Sequence, residues 1–362
     1  MDKFSPLARR AFHATLFAVS FALAASSSAD PSRYEVTDLV ADAAGVAPST
    51  DLNLKNPWGI AFNPNGFVWV ANNHTGTSTL YDGNGVPQSL IVTIPPATGN
   101  GLGTPTGITF NGTNDFMVVT NAPPSNANPT PARFIFASED GAITAWAPGI
   151  TTAIVKVTAN ANYKGVAIAG NGTANLLYAT DFVGRKIDVY NTAFAPTTVP
   201  GAFADPKLPK GYSPFNIMNI QGNLYVAYAL LESGDEETTG QGLGIVNVFD
   251  ADGFLLKRLI SRGQLNAPWG MALAPAGFGK FSNMLLVGNF GDGVINAYDP
   301  TNGNHAGRLR MSNNKDVRLD GLWGIAFGPG VQHQPTDTLF FAAGTNDEEN
   351  GLYGRIEAGP EK

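Results

Sequence analysis

The chain has 362 residues, and its 42 glycines and 25 prolines make up close to a fifth of it, against roughly 12% in average usage; so dense a supply of turn formers excludes a helical bundle. Only 14% of residues are charged, 43% are hydrophobic and the formal net charge is −7; with no Lys/Arg run or basic stripe along the chain, nothing in it points to nucleic acid as a partner. The sequence contains no cysteine, which removes disulfides, thiolate metal ligands and catalytic thiols and leaves oxygen or imidazole as the donors for any metal.

In chain order, the first predicted element is an export signal. Lys3, Arg9 and Arg10 form a positive start, Ala14 to Ala25 is apolar, and small residues follow at Ala22, Ala24 and Ala29, the layout of a cleaved signal peptide. The apolar run is shorter than the roughly 20 residues that span a bilayer. Cleavage is expected between Ala24 and Ala29, leaving no stable membrane span, and the Arg9–Arg10 pair is a weak pointer to twin-arginine export. The expected organisation is a signal over 1–29 and a single propeller domain over 30–362, in a protein that is secreted or periplasmic.

Past the signal, an edge-like strand at Tyr34 to Val40 (YEVTDLV) precedes a unit that occurs six times. PWGIAF at Gly59, PTGITF at Gly107, YKGVAIA at Gly165, SPFNIM at Asn216, PWGMALA at Gly270 and LWGIAFG at Gly324 each open a short apolar strand, at intervals of 48, 58, 51, 54 and 54 residues. Second and third strands follow in each unit, for example FVWVANN with STLYD and LLVGNF with GVINAYD. A weaker fourth strand comes next in most, as at Ser89 to Ile94 and Ala153 to Thr158. Four short strands per unit between Gly/Asn/Asp/Pro turns mark a β-propeller blade, so the fold expected is all-β, a six-bladed β-propeller. The sixth unit stops at Arg355 to Ala358, one strand short, and the Tyr34 to Val40 strand is expected to complete it and close the ring. In the second unit, FMVVTN (Phe116 to Asn121) and the loop Pro123 to Pro131 read as an insertion on the rim.

The PWGIAF, PWGMALA and LWGIAFG openings resemble an NHL-type propeller. The chain past the signal, with FIFASEDGAITAW and GNFGDGVINAYD, is similar to an uncharacterised family of exported bacterial proteins, many of which carry a C-terminal PEP-CTERM sorting tail. This chain ends at EAGPEK with no such tail, which favours free secretion or a periplasmic location. The resemblance implies architecture and no particular chemistry.

In a blade, the loop entering the first strand and the loop joining the second and third strands lie on one face of the ring. That face is expected to collect polar residues. Asn73, Glu139, Asp181, Asn216 and Asn289 are candidate oxygen ligands of a hard cation such as Ca²⁺. Equally, Asn and Asp are common in such loops because they tolerate tight turns. Trp58, Trp269 and Trp323 each precede an opening glycine; they form either an aromatic arc at the channel mouth, suited to sugars or planar ligands, or wedges between blades. Lys164 stands at the matching place in the third unit as a candidate carboxylate clamp. His74, His305 and His333 share no zinc-ligand spacing, and no G-x-S-x-G elbow occurs. The acidic runs Glu232 to Glu237 and Asp347 to Glu349 read as solvated loops.

Two functions follow. One is a binding or interaction scaffold for a small molecule, glycan or protein, at the cell surface or in the periplasm. The other is a metal-assisted hydrolase or lyase acting on an ester or lactone carbonyl, with Ca²⁺ as its cofactor. The absence of an obvious acid/base pair favours the first.

Overall fold

The computed structural model describes Met1 and residues 33–120 and 129–359; the predicted export signal and residues 123–128 of the rim loop lie outside them. The described residues form six antiparallel sheets arranged as the six blades of a propeller. Each opens on an apolar inner strand whose first residues are buried, such as Pro57–Phe62, Pro105–Phe110 and Leu322–Phe327, and runs outward to a strand that is part exposed. No helix among the described residues is long and apolar enough to cross a membrane.

Closure follows the expected route. Arg33–Ala41 pairs antiparallel with Leu352–Gly359, matching Tyr34 to Ala358 and Val36 to Ile356, and so supplies the fourth strand of blade 6, with the short Ser49–Thr50 paired parallel outside it. Tyr34 anchors it further: the phenol donates to the Phe278 carbonyl at 3.0 Å, accepts from the Phe281 backbone N–H at 3.2 Å, and lies in a core shared with blade 5. In blade 2, the insertion is a short pair of strands, Met117–Val119 against Pro129–Pro131, set between the first and second blade strands. The fourth strand of blade 1 is shorter than expected, with only Val92–Thr93 paired.

The opening glycines have a specific steric cause. A Cβ on Gly59 would stand 2.6 Å from the Thr106 carbonyl oxygen, on Gly107 2.7 Å from the Val166 nitrogen, on Gly270 2.4 Å from the Trp323 oxygen, and on Gly324 2.6 Å from the Trp58 oxygen. Each lies against the backbone of the next blade's inner strand, so the constraint is blade-to-blade contact, which only a residue without Cβ permits. Asn216, the exception, bridges this gap from blade 4 by donating its amide to the Trp269 carbonyl at 2.8 Å.

Two outcomes are expected from this geometry. A chain beginning at Ala41 should melt at lower temperature and self-associate on gel filtration, because the Leu352–Gly359 edge is then open; an unchanged melt would show that Arg33–Ala41 does not hold the ring closed. Gly270→Ala should destabilise by about 1–3 kcal/mol in denaturant titrations, the usual cost of overpacking.

Candidate functional site

The residues immediately before the opening positions are, in blade order, Trp58, Thr106, Lys164, Phe215, Trp269 and Trp323. All six are buried, and contacts between non-adjacent blades place them across the ring axis. Trp58 stacks on Trp323 with centroids 3.5 Å apart and meets Trp269 edge-on at 6.0 Å, while Phe215 meets Trp323 edge-on at 5.8 Å. Thr106 ties blade 2 to blade 3 through its hydroxyl, which donates to the Tyr163 carbonyl at 2.8 Å. Phe290 stacks on Trp323 at 4.1 Å and Phe182 packs on Phe215 at 4.9 Å, both from loops between second and third strands. The axis is therefore filled by an aromatic plug. Beyond it lies a cavity of only about 10 Å³, lined by residues such as Ile60, Ile108, Val166, Met271 and Ile325.

The plug corrects the sequence reading of the tryptophans. They do not form an open arc, because their ring faces are covered by one another and by neighbouring side chains, and Trp323 packs between residues of blades 5 and 1. The indole N–H of Trp323 donates to Asn56 Oδ1 at 3.2 Å and to Glu348 Oε1 at 3.1 Å. Those of Trp58 and Trp269 are buried with no partner among the described residues.

Lys164 is the one cation in the plug layer. Its side chain is fully buried, its ammonium lies 4.9 Å from the Trp58 ring centroid, and it pairs with Glu139 Oε1 at 2.6 Å. Asn73 donates to the other oxygen, Oε2, at 2.9 Å, so Glu139 is held from both sides. Burial works against the Lys164 charge, but the carboxylates of Glu139, Glu236 and Glu237 outweigh it and hold the ammonium above its usual range. The expected clamp is thus already occupied by a carboxylate of its own chain.

Two further carboxyls come from the acidic runs that read as solvated loops, and the structure corrects that reading for one residue in each. Glu237 folds inward, its Oε2 buried and without a hydrogen-bond partner among the described residues. Burial pushes its pKa up to about 8, against the pull of Lys164. The loop is tied back by Gly240 N–H to Asn266 Oδ1 at 2.6 Å and Thr238 N–H to the Leu230 carbonyl at 2.7 Å. Glu348 reaches Trp323 because Asn346, Asp347 and Glu348 are all left-handed, with φ of 57°, 49° and 67°, a conformation that costs non-glycine residues roughly 1–2 kcal/mol each. Burial raises its pKa as well, while hydrogen bonds from Asn56 and Trp323 oppose the rise.

The five candidate cation ligands do not assemble into one oxygen cage. Asp181 Oδ1 accepts the backbone N–H groups of Asn162 and Gly184, and Oδ2 faces Lys186 at 3.3 Å. Asn216 Oδ1 accepts from the Ile217 N–H, and Asn289 Oδ1 from the Asn266 N–H. Glu139 is engaged with Lys164 and with Asn73. These are the roles short polar side chains take in tight loops. Among the described residues, no group of three or more His, Asp or Glu stands close enough to hold a metal ion. What the structure does gather is Lys164, Glu139, Asn73, Glu237 and Glu348 over the tryptophan plug. Glu237 and Glu348 carried no sequence signal beyond lying in acidic loops on the expected face.

Two uncharacterised proteins of Acanthamoeba polyphaga mimivirus are similar to this chain throughout. One is 34% identical over 336 residues, covering 89% of this chain and 80% of the relative, and the other 31% identical over 340 residues, covering 89% and 85%. The chain belongs to the family of these proteins. Both are viral, so they lend no support to the resemblance to exported bacterial proteins with a PEP-CTERM tail. No protein-family model matches the chain. Among solved structures, it is similar to virginiamycin B lyase from Staphylococcus aureus, at 14% identity, 90% and 99% coverage and a TM-score of 0.53. It is also similar to the soluble aldose sugar dehydrogenase of Escherichia coli, at 12% identity, 90% and 100% coverage and a TM-score of 0.52. At such identities the likeness is one of fold.

The Glu237 carboxyl makes stability depend on pH with a definite sign. With its pKa raised in the folded state, the folded protein binds the proton more tightly than the unfolded chain. This contribution is present in full below the unfolded value and is lost as pH rises through about 8. Glu237→Gln keeps the neutral shape, so its melting temperature should exceed that of the wild type at pH 9 and match it near pH 5. Equal melts at both pH values would show that Glu237 is not held as a neutral acid.

Proposed function

We propose that the protein is a ligand-binding propeller acting outside the cytoplasm, and that a small polyhydroxylated ligand, a saccharide or similar polyol, seats over the plugged channel mouth against Glu237. The observation that carries this reading is the Glu237 carboxyl, buried beside the Lys164–Glu139 pair with one oxygen unpartnered among the described residues. A buried polar atom without a partner costs about 1–3 kcal/mol, and a ligand hydroxyl would remove that cost. Neutral Glu237 can donate and accept, and Glu139 and Glu348 accept, the mixed complement that hydroxyl groups match. With the axis closed by tryptophans, the ligand meets the loops and not a deep tunnel. Action outside the cytoplasm rests on the signal-like residues 1–29.

The inward-folded Glu237, with its buried and unpartnered Oε2, also favours a second reading. A carboxyl that keeps its proton to about pH 8 is suited to general acid catalysis, so a hydrolase or lyase acting on an ester or lactone would use Glu237 to protonate the leaving oxygen. The Ca²⁺-assisted form of that chemistry has no gathered ligand set among the described residues.

Calorimetry with a panel of neutral disaccharides, paired with turnover of p-nitrophenyl acetate and δ-valerolactone, separates the two. The binding reading expects saturable disaccharide binding that weakens at least tenfold, about 1.4 kcal/mol, in Glu237→Ala. The enzyme reading expects turnover that Glu237→Gln abolishes. Binding and turnover indifferent to both substitutions would overturn the assignment of this site.

A further inference from the structure

A second site lies away from the channel, on the rim where blades 5 and 6 meet. A cleft of about 360 Å³ is lined there by Arg33, Lys280, His305, Arg308 and Arg310, with Gln264 and Gly307 completing its wall. These residues come from four separate segments: the closing strand Arg33–Ala41, the loop before Pro268–Leu273 that carries Gln264, the turn Gly279–Phe281 of blade 5, and the outer strand His305–Arg308 with the residues just after it. Four fixed cations converge in a chain whose net charge is −7.

We propose that this cleft is an oxyanion site that takes the phosphate or sulfate group of a small ligand. Among the described residues, the carboxylate paired with its cations is Asp316, which lies between two guanidiniums, 3.0 Å from Arg308 Nη1 and 3.1 Å from Arg310 Nε. Against that carboxylate stand Lys280, Arg308 and Arg310, and the surplus of two positive charges is what a dianion matches. Arg308 is held in place from a second side, its Nη2 donating to Gln264 Oε1, so one guanidinium fork is positioned before any ligand arrives. A planar fork suits the paired oxygens of phosphate and sulfate. Lys280 extends from the opposite wall over the Phe281 ring, with its ammonium 5.3 Å from the centroid. Gly307, at φ 148°, keeps the floor open, since a Cβ there would lie 2.8 Å from the Phe281 ring.

His305 gives the site a pH dependence. Asn296 donates its amide to the Gln264 carbonyl, so its Oδ1 accepts from His305 Nε2 at 3.1 Å. Burial, and then the charge of Arg308, hold the imidazole below its usual range, so it is neutral near pH 7. The other groups facing it are the Tyr298 ring, edge-on at 5.2 Å, and the remaining cations Arg33, Lys280 and Arg310, with Asp316 beyond Arg308. An arriving anion reverses the local field, so His305 takes up a proton as the ligand binds, and affinity rises as pH falls.

The test is calorimetric titration of the full chain with sodium sulfate and with inorganic phosphate, at constant ionic strength against sodium chloride. Lys280 and Arg310 are exposed, so Lys280→Ala and Arg310→Ala should keep the wild-type melt. Sulfate and phosphate should each bind saturably at one site, and each variant should weaken both at least tenfold. Sulfate keeps its charge between pH 6 and 8, so its tighter binding at pH 6 should disappear in His305→Gln. No saturable binding above the chloride control, or binding unchanged in both cation variants, would overturn the site. A flat pH profile in the wild type would overturn the part assigned to His305. Glu237→Gln serves as an internal control, since failure at the channel mouth leaves this cleft untouched.

Discussion

Adjacent inner strands approach so closely that the backbone of each takes the space where the next would place a side chain. Gly270 against Trp323, and Gly59 against Thr106 and Gly324 against Trp58 after it, express this contact. Because the strands touch, the channel beyond the plug narrows to a remnant of about 10 Å³. The residues one step earlier are forced together across the axis. A ring built this way leaves little room for a ligand in its bore.

What fills the axis then decides the electrostatics of the mouth. Five of the six plug positions are aromatic or small, and the sixth is Lys164. An ammonium buried among indoles is tolerable only with a carboxylate partner and further hydrogen bonds; Glu139 and Asn73 supply these. The same low-dielectric surroundings that strengthen this pair act on Glu237, whose desolvation prevails over the attraction of Lys164 and keeps it protonated toward pH 8. Aromatic burial, one lysine and one inward-folded acidic loop thus produce two carboxyls of opposite character beside a single cation, a division that acid/base sites elsewhere use.

The closing strand has consequences beyond stability. Arg33–Ala41 completes blade 6, and its Tyr34 N–H donates to the Arg310 carbonyl at 2.9 Å, joining it to the rim of blade 5. Arg33 arrives beside Lys280 and Arg308 only through that pairing. Ring closure thus completes the basic cleft, in a chain whose sequence shows no basic stripe. Arg33 is more than two hundred residues from Lys280 along the chain and meets it only in three dimensions.

The repeat was legible because each blade repeats one local rule: a turn-former before a short apolar strand, then further short strands separated by turns. Strand count, blade order and the role of the N-terminal strand follow from that rule, since they depend on local hydrogen-bonding patterns and on one unit lacking a strand. The face bearing the loops was legible for the same reason. The site on that face was only partly so. Glu139 and Lys164 stand at repeat positions and could be singled out, but Asp181, Asn216 and Asn289 turn out to serve their own loops. Glu237 and Glu348 reach the mouth through loop conformations with no counterpart in the other blades, one tied to Asn266 and the other bent through three left-handed residues. The sequence by itself determined the architecture, because blades are made by near neighbours. Tertiary structure alone decided which charges lose their water and which find partners, because burial and field at one atom sum over side chains from every blade.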